Sequence, residues 1–243
     1  MSEPVRIAMW TGPRNISTAM MRSWGNRGDT VVIDEPFYAF YLHRTGKDHP
    51  GLAEIVSQSQ TDVYKIIRTL MGGLPGGKSV FYQKHMAHHL LPEIDRSWLG
   101  GVTNCFLVRD PAEVITSYIQ KNPHPDLEDL GFTQQLELFR WVRDSTGLIP
   151  PVVDAKDVLE NPERILGLLC RAVGLQFDPA MLCWAAGPRE TDGVWAKYWY
   201  DSVVRSTSFQ PYRPKTETVP ERLCDIHQRC LDCYRELYQH RLH

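Results

Sequence analysis

Five short apolar runs, separated by stretches of helical periodicity, constrain this chain more than any other feature. "VRIAM" (5–9) and "TVVID" (30–34) are short and rich in β-branched residues, which favours strands. "VFYQK" (80–84), "NCFLV" (104–108) and "PVVD" (151–154) read the same way. Helical patterns fall near 16–26, 52–72, 111–120, 132–146, 161–174 and 220–241. Strand, helix, strand, helix in this order predicts an α/β fold in three layers, with a central, mainly parallel sheet covered on both faces. With 243 residues, 42% of them hydrophobic, one domain spanning 1–243 is expected, with a core that needs no disulfide or metal. Two segments look irregular, "QKNPHPDLEDLGF" (120–132) and "VVRSTSFQPYRPKTETVPE" (203–221), and each reads either as a lid or as a solvated connection.

Charge narrows the partners. The 27 Lys and Arg against 29 Asp and Glu give a net charge of -2, which speaks against a general nucleic-acid binder. A small anionic ligand needs only a few basic groups and stays open. The opening "MSEPVRIAMW" has the features of neither a signal peptide nor a transit peptide. No stretch approaches the roughly 20 apolar residues of a membrane span. The expectation is a soluble, cytoplasmic protein without a membrane partner, its six cysteines reduced. Cys224, His227, Cys230 and Cys233 look at first like a metal cluster. Their spacing of three drifts around a helix by about 60° per step, so the set cannot close one tetrahedron. Leu223, Ile226, Cys230, Tyr234 and Leu237 form a core stripe instead.

Chemistry enters at "IAMWTGPRNISTAMMRSW" (7–24), where an apolar strand gives way to a tight turn and then a helix. The first amides of such a helix lack intrahelical partners and carry the positive end of the macrodipole. Gly12, Pro13, Arg14, Asn15 and Ile16 form the turn, and Ser17 and Thr18 add hydroxyls. Together they describe a phosphate cradle; the plainer reading is a βα turn capped by Asn15 with Arg14 in solvent. A P-loop kinase or ATPase would carry G-x-x-x-x-G-K-[ST] here, and "GPRNIST" lacks the second Gly and the Lys-Ser/Thr pair. "NCFLVRDPAEVITSYIQ" (104–120) repeats the theme: a strand, then Arg109, Pro111 at the first turn of a helix, and Ser117 eight residues after the Arg. Taken alone, it also fits an Arg109–Asp110 surface pair.

The two motifs in this order resemble the P-loop sulfotransferase family, whose members use 3′-phosphoadenosine 5′-phosphosulfate (PAPS). In that family a 5′-phosphosulfate loop with a basic residue after a Pro follows the first strand, and "GPRNIST" is similar to it, with Arg14 where a Lys is usual. An Arg, a Pro two residues on and a Ser eight residues on make the 3′-phosphate site, and Arg109, Pro111 and Ser117 match. "WTGPRNIST", "DEPFYAFYL" and "QKHMAHHLLP" further resemble a bacterial sulfotransferase-like subgroup with relatives in plants and fungi. The resemblance covers the first half of the chain and implies a metal-independent enzyme. It names no acceptor beyond a hydroxyl or amine of a small molecule, and it leaves the oligomeric state open.

Two residues are candidates for the base that takes the acceptor's proton. Glu35 ends the second strand, where a parallel sheet places its ligand crevice, and some family members use a Glu there. His85 follows Lys84 at the end of the next strand, and animal cytosolic members use a His after a Lys near such an end. Both could do base chemistry, Lys84 could assist either, and both have plainer readings: Asp34 and Glu35 as a polar strand exit, His85, His88 and His89 as a solvated helix start. A metal pair from His85 and His89 lacks an evident third ligand. Phe37, Tyr38, Phe40 and Tyr41 would flank the acceptor or belong to the core. Arg14 can stabilise charge on the leaving phosphate but is a poor proton donor. Arg205, Arg213 and Lys215 are candidates for a late basic loop that closes the nucleotide site. A P-loop nucleotide kinase and a non-catalytic nucleotide-binding protein are the competing functions.

Overall fold

The five apolar runs are the five strands of one sheet. The computed structural model describes residues 3–243. In chain order the elements are β1 (Val5–Thr11), α1 (Ser17–Gly25), β2 (Thr30–Asp34), α2 (Tyr38–Thr45), α3 (Leu52–Gln58), α4 (Val63–Met71), β3 (Val80–Met86), β4 (Thr103–Val108), α5 (Pro111–Tyr118) and α6 (Leu127–Leu130). There follow α7 (Phe132–Thr146), β5 (Val152–Asp154), α8 (Ala155–Glu160), α9 (Pro162–Ala172), α10 (Ala196–Trp199), α11 (Asp201–Val204) and α12 (Cys224–Tyr238). The strands lie in the order β2-β3-β1-β4-β5, and every neighbouring pair is parallel. In open sheets of this kind ligands bind beyond the carboxyl ends of the strands, where the order reverses. Here that place is the end of β1, between β3 and β4.

Side-chain alternation along β1 separates two cores. Ile7 and Met9 pack with Met20, Met21 and Trp24 of α1 and with Ile165, Leu166 and Leu169 of α9. Ala8 and Trp10 face Ile66 and Leu70 of α4, Leu136 and Phe139 of α7, and Leu237 of α12. The result is the three-layer arrangement expected from the alternation of strands and helices. A third, smaller core joins α2 and Ile55 of α3 to Trp195 and Tyr200.

Departures from the expected elements have local causes. The pattern over 52–72 is two helices, because Asp62 caps α4 by accepting from the amides of Tyr64 and Lys65 at 2.9 and 3.2 Å. The aromatic run after Pro36 is itself the helix α2, with Tyr38, Phe40 and Tyr41 buried. The acidic loop at 120–132 holds α6, closed by a capping box between Asp126 and Asp129. On α12, Cys230 is buried, Cys233 half-buried and Cys224 exposed, as residues on a spiral must be. Among the described residues no helix is long and apolar enough to cross a membrane.

Candidate active site

The turn after β1 is held from several sides. Gly12 is fixed by close approach: a Cβ there would meet the Leu130 carbonyl oxygen at 3.0 Å. Asn15 donates to the Leu107 carbonyl at 3.1 Å and accepts from the Ile16 amide at 2.8 Å, tying the turn to β4. Gln135 of α7 braces it from below, donating to the carbonyls of Trp10 and Leu107 at 2.9 Å each. Arg14 adopts a left-handed φ of 54°, which costs a non-glycine residue energy and is found where function requires it. Pro13 and Ile16 complete the turn; Ile16 stands at the cap position, one residue before α1 begins at Ser17. No side chain caps α1, and its first turn holds no acid. The amides of Ser17 and Thr18 therefore face the turn without an intrahelical acceptor, as an anion cradle requires.

The end of β4 meets this turn. Asp110 caps α5 through the amides of Ala112 and Glu113 at 2.8 and 3.3 Å, so the partner of Arg109 is not Asp110. Arg109 pairs with Glu113 at 2.9 Å and donates from Nη1 to the Arg14 carbonyl at 2.8 Å. Ser117, two turns into α5, accepts from Arg14 Nε at 2.9 Å. The two basic motifs, 95 residues apart in sequence, are thus in direct contact. Burial, with the Arg109 charge second, pulls Arg14 below the usual arginine value. An anion beside both guanidinium groups relieves that cost. Of the three late cations, Arg205 and Arg213 are exposed. Lys215 comes in, donating to the Glu113 carbonyl at 3.0 Å, and is lowered first by burial and then by Arg109.

A cavity of about 1020 Å³ runs from this cradle to the ends of β2 and β3. Pro13 through Thr18, Arg109 and Ser117 line one end; Glu35, Lys84, Met86, His88 and His89 line the other. Lys84 is fully buried and donates to Asp34 Oδ1 at 2.8 Å, to Glu35 Oε1 at 2.6 Å and to the Tyr200 hydroxyl at 2.6 Å. Glu35 sits at a left-handed φ of 39° and is 6% exposed. Burial pushes its carboxyl up, the Lys84 ammonium opposes that, and the Asp34 charge adds to it. His89 lies 3.9 Å from Glu35 Oε2 and stacks on Tyr38 and Tyr41 at 4.8 and 4.7 Å. Burial first, then the neighbouring His88, holds His89 well below the usual histidine range.

His85 is not part of this wall, which corrects the expectation that it could serve as the base. Side chains alternate along β3, so Lys84 faces the cavity and His85 the opposite layer. There it stacks on Trp10 at 4.3 Å, lies near Phe37 and Trp98, and bonds to Gln83 Oε1 at 3.2 Å. Burial pulls it down to about 3, so it is a neutral core histidine.

A family profile described as the sulfotransferase domain matches residues 5–237. The chain belongs to the sulfotransferase family. Two Arabidopsis thaliana proteins, named branched-chain-amino-acid aminotransferase-like proteins 1 and 2, are 33% identical over 243 residues and 31% identical over 237. The matches take in 100% and 98% of this chain but 43% and 42% of those relatives, so the chain spans less than half their length. Sulfotransferase domains of known structure share the fold. Those from the curacin biosynthetic pathway and from the Synechococcus PCC 7002 olefin synthase superpose with a TM-score of 0.53 each, at 15% identity. They cover 95% and 94% of this chain and 98% and 95% of their own. A sulfotransferase from Alicyclobacillus acidocaldarius gives 0.52 at 10% identity, over 74% of this chain and 89% of its own.

Within this sulfotransferase-family fold, several cavity or bracing residues escape a reading by motif. Gln135 and Glu113 brace the cradle, and the half-buried His88 and buried His89 line the cavity rather than a solvated helix start. Tyr200 arrives from 116 residues beyond Lys84, in a stretch whose only signal is a density of aromatic residues.

Proposed function

We propose that this chain transfers a sulfuryl group from PAPS to a hydroxyl or amine of a small acceptor. The observation that carries the reading is the single cavity, with Arg14, Arg109 and Ser117 at one end and Glu35 and Lys84 at the other. In this reading the α1 amides, with Ser17 and Thr18, hold the 5′-phosphosulfate. Arg109, Ser117 and Lys215 hold the 3′-phosphate. Glu35 takes the proton from the acceptor as its oxygen or nitrogen bonds to sulfur. The bond between sulfur and the bridging phosphate oxygen breaks, and its electron pair stays on that oxygen. Arg14 stabilises the charge that develops there, as positioned cations do in phosphoryl transfer. Because arginines supply the positive charge, the mechanism needs no metal. At the acceptor end Lys84 is paired with Asp34 and Glu35. The rings of Tyr38, His49 and Trp199 lie alongside. That lining suits an acceptor with an apolar body.

Incubation with ³⁵S-labelled PAPS, a panel of alcohols, phenols and amines, and EDTA tests the reading. Transfer to some members is expected, and Glu35→Gln should lower it by about 10²–10⁴-fold while sparing donor binding. Lack of transfer to any member, together with failure to bind 3′-phosphoadenosine 5′-phosphate, would overturn it.

A further inference from the structure

Residues 188–203 form an excursion closed at its base. Trp184 donates its amide to the Thr207 carbonyl at 2.9 Å and Gly187 to that of Val204 at 2.7 Å, and Cys183 bridges to Ser208. The far part of this excursion returns to the strand ends. Asp192 pairs with the buried Arg22 at 2.7 Å, the Gly193 amide donates to Asp34 Oδ2 at 3.2 Å, and Trp195 and Tyr200 enter the small core over α2. Tyr198, Trp199 and Tyr200 then wall the acceptor end of the cavity.

The hydroxyl of Tyr200 has a defined direction. It accepts from Lys84 Nζ at 2.6 Å and donates to Asp34 Oδ2 at 2.7 Å, while Glu35 Oε1 stands at 3.5 Å. Asp34 therefore receives three donors: Lys84, Tyr200 and the Gly193 amide. Glu35 receives one short bond, from Lys84 on Oε1. Two carboxylates share one ammonium, so the pair carries an unbalanced negative charge in a buried site, and the member with fewer hydrogen-bond donors is the one that takes a proton. Hydrogen bonding decides which member that is.

We infer that Tyr200 is a positioning residue for Glu35: by donating to Asp34 it satisfies that carboxylate and leaves Glu35 as the one that exchanges a proton. This rests on the reading of Glu35 as the acceptor's base. It makes the segment that walls the acceptor end also set the proton affinity of the base. The titratable groups that face Glu35 are Asp34 on β2, Tyr38 on α2, Lys84 on β3, His89 after β3, and Tyr200. Of these, Tyr200 alone comes from the excursion.

The test is a ¹³C NMR titration of the Glu35 side-chain carboxyl in the whole unliganded chain, its signal assigned by its loss in Glu35→Gln. Tyr200→Phe keeps the ring, which lies 4.9 Å from Lys84 Nζ, and removes only the hydroxyl. Taking the donor from Asp34 lets Asp34 compete for the shared proton, so the Glu35 midpoint should fall by about one pH unit. Asp34→Asn removes the neighbouring charge and leaves Lys84 to Glu35, so the midpoint should fall. Because Tyr200 acts through Asp34, adding Tyr200→Phe to Asp34→Asn should lower the midpoint no further, whereas a purely structural role would add its own shift. A midpoint unmoved in Tyr200→Phe, with near-ultraviolet circular dichroism like that of the wild type, overturns the inference. Such non-additive shifts in a protein that transfers no sulfuryl group would instead uphold the coupling and sink the functional reading.

Discussion

Replacing Lys84 with methionine removes an ammonium from a fully buried position while keeping a stem of similar length. The wild-type group donates at 2.8 Å to Asp34 and at 2.6 Å to both Glu35 and Tyr200. Its deletion leaves two buried carboxylates without that cation, and breaking a buried pair in this way costs about 3–5 kcal/mol. At 2–4 °C per kcal/mol for a chain of this length, Tm should fall by about 6–20 °C. The loss should depend on pH, and its sign follows from the carboxylates. The Glu35 pKa is raised on folding, so its burial favours the folded state at low pH, and that contribution is lost as pH rises through the folded value. Without Lys84 the Glu35 carboxyl is raised further, so the loss deepens with pH. Lys84 keeps its own charge across this range, because its pKa lies well above the ordinary lysine value despite burial, held there by Asp34 and Glu35. Thermal and urea unfolding of both proteins at pH 5 and pH 8 should therefore show the larger gap at pH 8. An equal gap at both, or a variant as stable as the wild type, would refute the picture of two carboxylates sharing one ammonium.

Arg109→Ala should weaken binding of the desulfated donor by about 1.5–3 kcal/mol, read by calorimetry, since it removes the proposed phosphate contact and the anchor on the Arg14 carbonyl. His85→Phe should leave turnover unchanged and cost less than about 1.5 kcal/mol in urea unfolding, because the ring belongs to a stack and not to the cavity. Gly51→Ala should destabilise by about 1–3 kcal/mol in the same assay: φ there is 78°, and a Cβ would clash with the Tyr198 ring.

The sheet was legible because its signals are local. Each strand is a short apolar run, and the register follows from which face of each run must be buried. The cradle was legible for the same reason, since the turn over 12–16 and the Arg109-to-Ser117 spacing each lie within one βα unit. What escaped was whatever depends on alternation or on distance. His85 and Lys84 are neighbours in sequence, and only the phase of β3 decides which reaches the cavity. Tyr200 and Gln135 meet the site through tertiary packing, and no spacing ties either to a strand end. The helix α2 was hidden by its composition, because buried aromatic residues at 37–41 look alike in a pocket wall and in a core.

The most direct measurement is a calorimetric titration of the wild-type chain, without metal, with 3′-phosphoadenosine 5′-phosphate and with adenosine 5′-phosphate. If one cavity joins both phosphate sites, the bisphosphate binds in the presence of EDTA, and loss of its 3′-phosphate weakens binding at least tenfold, about 1.4 kcal/mol. Equal affinity for the two nucleotides, or binding only of Mg-ATP, would contradict the account.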